Sequence, residues 1–266
     1  MSQETFIPVG RSSFFMRQAG QEKPVVILEA GAGEDSTTWK DILPAVAQFS
    51  QVMAYDRAGL GYSAGLPTPR TALHLVNNLH DLLQASQLEG PYLLVGHSLG
   101  ALLCRLYTQQ YRQEVAGLLL LDGPHPDQGK RFTTALTQSG WQEHELVQPI
   151  LHMAAGVAPE EHPEGLDFAK SLAQVDPMQT FSDLPLVVIS NGKSHAEVMP
   201  DLPMQAALAF DGAWDAMQSE LAKLSTRGVH LRAKRSGHYI HCDEPALVVG
   251  TIHQLVRTIR HRSFQK

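Results

Sequence analysis

The sequence predicts an α/β fold, and two observations carry that prediction. Short apolar runs of strand length recur at residues 25–29, 52–55, 92–95, 118–121, 186–189 and 229–233. Between them lie stretches with apolar residues three or four apart, at 39–49, 71–87, 99–111 and 245–260. Strands apolar on both faces, alternating with amphipathic helices, are what a mostly parallel central sheet flanked by helices requires. A chain of 266 residues with 43% apolar side chains is long enough to bury one large core.

Taken in order, residues 12–18 with Gly20 read as part of a short N-terminal hairpin, a common antiparallel addition to such sheets. The six apolar runs that follow each read as a buried strand, and the four periodic stretches as helices covering the sheet. The exception is 125–183, which has helical patches, several prolines and no convincing strand. A structureless connection of that length is rare in a compact domain. The segment is therefore expected to be a helical cap over the functional site, inserted before the penultimate strand, with 1–124 and 184–266 forming the core. Its Ala/Pro/Glu-rich patch at 154–164 reads as a loop within the cap.

Composition excludes several classes of function. The net charge is −6 and the 21 basic residues form no long cluster, which argues against a nucleic-acid partner. Two cysteines, Cys104 and Cys242, are too few for a disulfide framework, and no Cys/His spacing resembles a zinc site. The N-terminus has no basic start followed by an apolar stretch, and no run reaches the ~18 apolar residues of a membrane span. The expectation is a cytoplasmic protein with no membrane span.

The chemistry is carried by Leu93-Leu94-Val95-Gly96-His97-Ser98-Leu99-Gly100, which sets Gly-x-Ser-x-Gly between a buried strand and a helix. A sharp strand-to-helix turn strains the serine, and glycines two residues away on each side let the chain fold back so closely. The hydroxyl of Ser98 then stands at the carboxyl edge of the sheet, beside the free N–H groups of the helix that follows. A serine hydroxyl becomes a nucleophile only when a base takes its proton. Among 13 histidines, His238 lies just after the last strand and before the last helix, where the chain returns to that edge. His241 and His195 are its rivals.

These segments resemble the α/β-hydrolase superfamily, and the likeness covers nearly the whole chain apart from the cap. Residues 25–33, ending in Ala30-Gly31-Ala32-Gly33, resemble its first buried strand and oxyanion loop. Asp56-Arg57-Ala58-Gly59-Leu60-Gly61-Tyr62-Ser63 resembles its D-R-x-G-x-G-x-S loop, a more specific motif than the serine turn, and Gly237-His238 followed by Asp243-Glu244-Pro245 resembles its histidine turn. The resemblance implies Ser98 as nucleophile, His238 as base, backbone N–H groups of Ala32 and Leu99 as the oxyanion hole, and neither cofactor nor metal. Many members have His-Gly where this chain has Ala30-Gly31; the donors are backbone groups, so the hole survives that change.

The family commonly takes its acid from the loop after the strand at 186–189, but near Ser194 this chain has no carboxylate. A minority takes it from the end of the preceding strand, where Asp122 follows Leu119-Leu120-Leu121. Asp122 is therefore the expected acid, with Asp127, Asp183 and Asp201 as alternatives and Asp56 assigned to structure, tied to Arg57 or the glycine turns. Glu29, a charge ending a buried strand, either orients the oxyanion loop or reaches solvent. Cys104 and Cys242 read as structural. Met153, Met178, Met199, Met204 and Trp141 either line an adaptable pocket or pack the cap helices.

The activity implied is hydrolysis of a small ester-like molecule through an acyl-enzyme on Ser98. Relatives that displace halide or open epoxides carry aspartate at the elbow, so serine argues against both. Amide or carbon–carbon hydrolysis, lyase chemistry, or a ligand-binding protein that turns over slowly are the alternatives on the same fold.

Overall fold

The computed structural model describes residues 2–177 and 179–263, the last by its backbone; Met178 lies outside them. Eight strands form one sheet in the order β1-β2-β4-β3-β5-β6-β7-β8. The antiparallel hairpin β1 (Gln3–Val9) and β2 (Ser12–Ala19) adds to an otherwise parallel sheet of β3 (Val26–Glu29), β4 (Val52–Tyr55), β5 (Tyr92–His97), β6 (Val115–Leu121), β7 (Leu186–Asn191) and β8 (Gly228–Ala233). The helices are α1 (Leu43–Val46), α2 (Ala72–Ala85), α3 (Leu99–Gln110), α4 (Gln128–Ser139), α5 (Gln148–Ala155), α6 (Phe168–Ala173), α7 (His195–Val198), α8 (Met204–Ala222), α9 (Ile240–Asp243) and α10 (Pro245–Ser263).

Strand alternation sends successive side chains to opposite faces, and the core divides accordingly. Leu94, Leu118 and Leu120 pack with α2 and α3 on one face. Leu93, Leu119 and Leu121 pack with α1 and α10 on the other. A third apolar cluster sits apart, made by α4 and α8 around Phe132, Leu136, Ala206, Phe210 and Met217. This third cluster joins α4 and α5 to α8, which follows β7, whereas Leu172 of α6 packs in the first cluster beside α2.

Two expectations are corrected, and one long helix is added. The helix at 39–49 is a 3₁₀ turn, Ser36–Trp39, followed by the single turn of α1, because Pro44 lacks an N–H and is tolerated only at a helix start. The long helix α8 went unforeseen: its buried residues share its length with exposed Met204 and Leu208, so no polar stripe marks its period. The last strand is not buried: β8 is an edge, with Val229 48% exposed.

Candidate active site

Ser98 lies between β5 and α3 with φ 50° and ψ −119°, a left-handed region that side chains rarely occupy. Its neighbours leave no alternative to glycine. A Cβ on Gly96 would fall 2.3 Å from the carbonyl oxygen of Gly100, and one on Gly100 would fall 2.1 Å from that of Glu29. The turn is anchored by Ser98 N–H donating to Leu121 O at 2.9 Å.

Asp122, directly after β6, also has positive φ, 47°. Its carboxylate is held at both oxygens: Oδ1 accepts from the backbone N–H of Asn191 and from Trp214 Nε1, each at 2.9 Å, and Oδ2 from His238 Nδ1 at 2.7 Å. An acceptor at Nδ1 fixes the His238 proton there and leaves Nε2 bare in the neutral ring. Desolvation by the surrounding protein opposes charge on His238, although its side chain remains 45% exposed; the hydrogen bond and charge of Asp122, helped by Glu34, outweigh it and raise its pKa.

The loop after β3 is held by charged side chains. Arg57 donates to Glu29 Oε1 at 2.7 Å, to both oxygens of Glu164, and to the carbonyls of Ala30 and Gly31. Glu29 is 1% exposed and also accepts from Tyr55 at 2.7 Å, so it is an internal partner and does not reach solvent. Its burial raises its pKa against the pull of Arg57. Gly31 N–H donates to Glu34 Oε2 at 2.7 Å and Gly33 N–H to Glu164 Oε1 at 3.0 Å. The N–H of Ala32, between them, and that of Leu99 meet no acceptor among the described residues.

Behind His238, the ring of His97 bridges Glu34 Oε2 at 3.1 Å and the carbonyl of His238 at 3.0 Å. Burial raises the Glu34 pKa, but the hydrogen bond and charge of His97, the charge of His241 and the Gly31 N–H bring it down to about 2. His241 is buried, with Nε2 2.7 Å from Thr38 Oγ1, and its pKa falls to about 3 through desolvation and the neighbouring His97. Glu34, His97 and His241 bring metal-ligating atoms within 4.8 Å of one another. Apart from His241 Nδ1, however, those atoms already have partners in the protein.

Ala32, Ser98, Leu99, Asp122 and His238 line one cavity of about 530 Å³, walled largely by apolar groups including Phe132, Ile150, Phe168 and Trp214. His195 lies on the same wall, its Nδ1 2.6 Å from Asp211. His241 does not line it. Of the rival acids, Asp127 approaches His125, Asp183 pairs with Arg262, and Asp201 is exposed. Asp56 accepts from the backbone of Ser36 and Tyr62, so it ties the glycine turn and not Arg57. Cys104 is buried and Cys242 exposed, both unpaired. Met153 lines the cavity, whereas Trp141 and Met199 pack in the cluster of α4 and α8, and Met204 is exposed.

Sequence reasoning missed Glu34, Glu164, Asn191 and Trp214. Asn191 ends β7, two residues beyond the apolar run at 186–189 that marks that strand in the sequence. The others carry no local motif.

A family model described as alpha/beta hydrolase fold matches residues 23–151. The uncharacterized protein YqjL of Bacillus subtilis is 28% identical over 247 residues, 92% of this chain and 88% of that protein. Among solved structures, a haloalkane dehalogenase loop variant from Bradyrhizobium elkanii has a TM-score of 0.69 at 17% identity, covering 100% of this chain and 99% of that one. A thermophilic esterase from Thermogutta terrifontis has a TM-score of 0.65 at 19% identity, covering 97% and 99%. The architecture is therefore shared by proteins named for different chemistries.

Proposed function

We propose, from the premise that this chain belongs to the α/β-hydrolase superfamily, that it is a serine hydrolase cleaving carboxylic esters of small, largely apolar molecules through an acyl-enzyme on Ser98. The observation that carries this reading is that a strained serine and a histidine paired through Nδ1 with a buried carboxylate line one cavity. Ser98 attacks the carbonyl while His238 Nε2 takes its proton; Asp122 holds the tautomer and stabilises the imidazolium. The unengaged N–H groups of Ala32 and Leu99 receive the developing oxyanion. His238 then protonates the leaving alcohol; water, deprotonated by the same nitrogen, adds to the acyl carbon, and as its bond to Ser98 Oγ breaks the proton returns to that oxygen and the acid is released.

The apolar wall favours an uncharged acyl or alcohol portion. Serine at the elbow supports acyl transfer over halide displacement, which the fold alone does not decide. Cytoplasmic location is part of the same proposal. Among the described residues, no helix is long and apolar enough to cross a membrane.

A fluorophosphonate probe tests the assignment. The parent should label rapidly, and Ser98→Ala should abolish labelling and lower ester hydrolysis by about 10⁴ or more while leaving the melting temperature in place. A folded parent that never labels would instead be a binding protein.

A further inference from the structure

We propose that Glu164, carried by the segment between β6 and β7, is a positioning residue for the oxyanion loop: its carboxylate holds Gly33 N–H and Arg57 so that the Ala32 N–H is left facing the substrate cavity. The proposal rests on the reading of Ser98 as nucleophile.

Three consecutive backbone N–H groups, of Gly31, Ala32 and Gly33, lie along the loop after β3. Gly31 N–H is taken by Glu34 and Gly33 N–H by Glu164, so Ala32, whose residue lines the cavity, keeps the donor without an acceptor. Glu164 acts on the loop a second time through Arg57. It accepts from Arg57 Nε at 2.8 Å and Nη2 at 2.7 Å, and the same guanidinium binds the carbonyls of Ala30 and Gly31. Two parallel charge-assisted bonds fix orientation as well as distance.

The carboxylate is itself tightly placed. Arg70 N–H donates to Gly165 O at 3.0 Å, Asp167 N–H to Arg70 O at 2.9 Å, and Arg70 Nη2 to Glu164 O at 2.7 Å, so 164–167 is seated on the core like a short strand. Gly33, at φ 73°, has no Cβ; one placed there would lie 3.2 Å from the Pro163 Cβ. Glu164 is 4% and Arg57 2% exposed, so water does not substitute for either partner. The segment that covers the site therefore also sets the geometry of its anion-binding donor.

Glu164→Gln keeps the shape but places an amide N–H₂ against donors. Removing an oxyanion donor outright costs about 10² to 10³ in kcat, so misplacing one should cost about 10 to 100-fold, with KM unchanged within about threefold. Affinity for a boronic acid, which mimics the tetrahedral state, should fall in parallel with kcat. Amide hydrogen exchange across 30–34 should quicken at least about tenfold while β5 and β6 stay protected.

Glu29→Gln is the comparator, since it deprives Arg57 of a carboxylate without touching a loop N–H. An equal kcat loss in that variant would overturn the proposal, because the effect would belong to Arg57 alone. Unchanged exchange at 30–34 in Glu164→Gln would overturn it as well, even if the parent hydrolyses no ester and the hydrolase reading itself fails. Should Glu164→Gln not fold, Gly33→Ala keeps every charge and presses a methyl toward Pro163; parental kcat and exchange there would equally overturn it.

Discussion

At the scale of single residues, the behaviour of His238 follows from what its two nitrogens meet. Only the neutral ring accepts the Ser98 proton, so kcat/KM should rise with pH and level off, with its midpoint above the ordinary 6.5 because Asp122 raises the pKa. Stability runs the other way: the pair's contribution is fully present below 6.5 and is lost as pH rises through the raised value. Asp122→Asn sharpens the test. Its remaining oxygen is claimed by Asn191 N–H and Trp214 Nε1, so its amide N–H₂ faces His238 Nδ1 and forces the proton onto Nε2. The ring then cannot accept from serine, and kcat should fall by about 10³ to 10⁴ with the fold retained. Steady-state rates beside a thermal melt check this; parental kcat would return the acid's role to another residue. Ser98 and His238 could be proposed from the sequence because acyl transfer demands such residues at fixed places along the chain, and both line one cavity. Glu164 could not be, since its partners Arg57 and Gly33 lie more than 100 positions away, at |i−j| of 107 and 131.

At the scale of elements, the sheet and its site-bearing turns answer to different constraints. Strands apolar on both faces announce themselves, so β3 to β7 were readable; their ends were less so, because β6 begins at Val115 and β7 runs on to Asn191, where burial falls off. Proline decided the fate of the stretch at 39–49, and an apolar surface hid α8. That hidden helix matters to function, because it delivers Trp214 to Asp122 and packs Phe210 against Phe132 with ring centroids 5.1 Å apart. Phe210 is fully buried in a cluster separate from the two sheet cores. Phe210→Ala should therefore cost about 3–5 kcal/mol locally. Hydrogen exchange should quicken in α4 and α8 but not in β5 or β6, and KM for bulky apolar esters should rise. Uniform loss of protection across the sheet would show that the helical layer and the core unfold as one unit.

For the molecule as a whole, the site exists because a parallel sheet gathers the loops at its carboxyl edge. Ser98 follows β5, Asp122 follows β6, His238 follows β8, and the loop after β3 supplies Ala32. Charges buried behind that edge couple it to acid. Glu34 is held at about 2 against an ordinary 4.5, so its stabilisation is complete above 4.5 and lost as pH falls toward about 2. Glu34→Gln should flatten the acid limb of a pH–stability curve followed by urea unfolding. The order of elements was visible in the sequence, and so was Ser98 as the nucleophile to propose, whereas the cavity was not, because its wall draws on side chains from many segments. Acylation of Ser98, on which the proposed reaction turns, can be read directly. The protein is mixed with excess p-nitrophenyl ester, quenched in acid within the first turnover, and analysed by mass spectrometry of its peptides. The expected result is a burst of p-nitrophenol stoichiometric with protein, and an added acyl mass on the peptide containing Ser98 that vanishes in Ser98→Ala. Turnover with no acylated Ser98 peptide, or with the acyl group on another residue, would rule out Ser98 as the nucleophile.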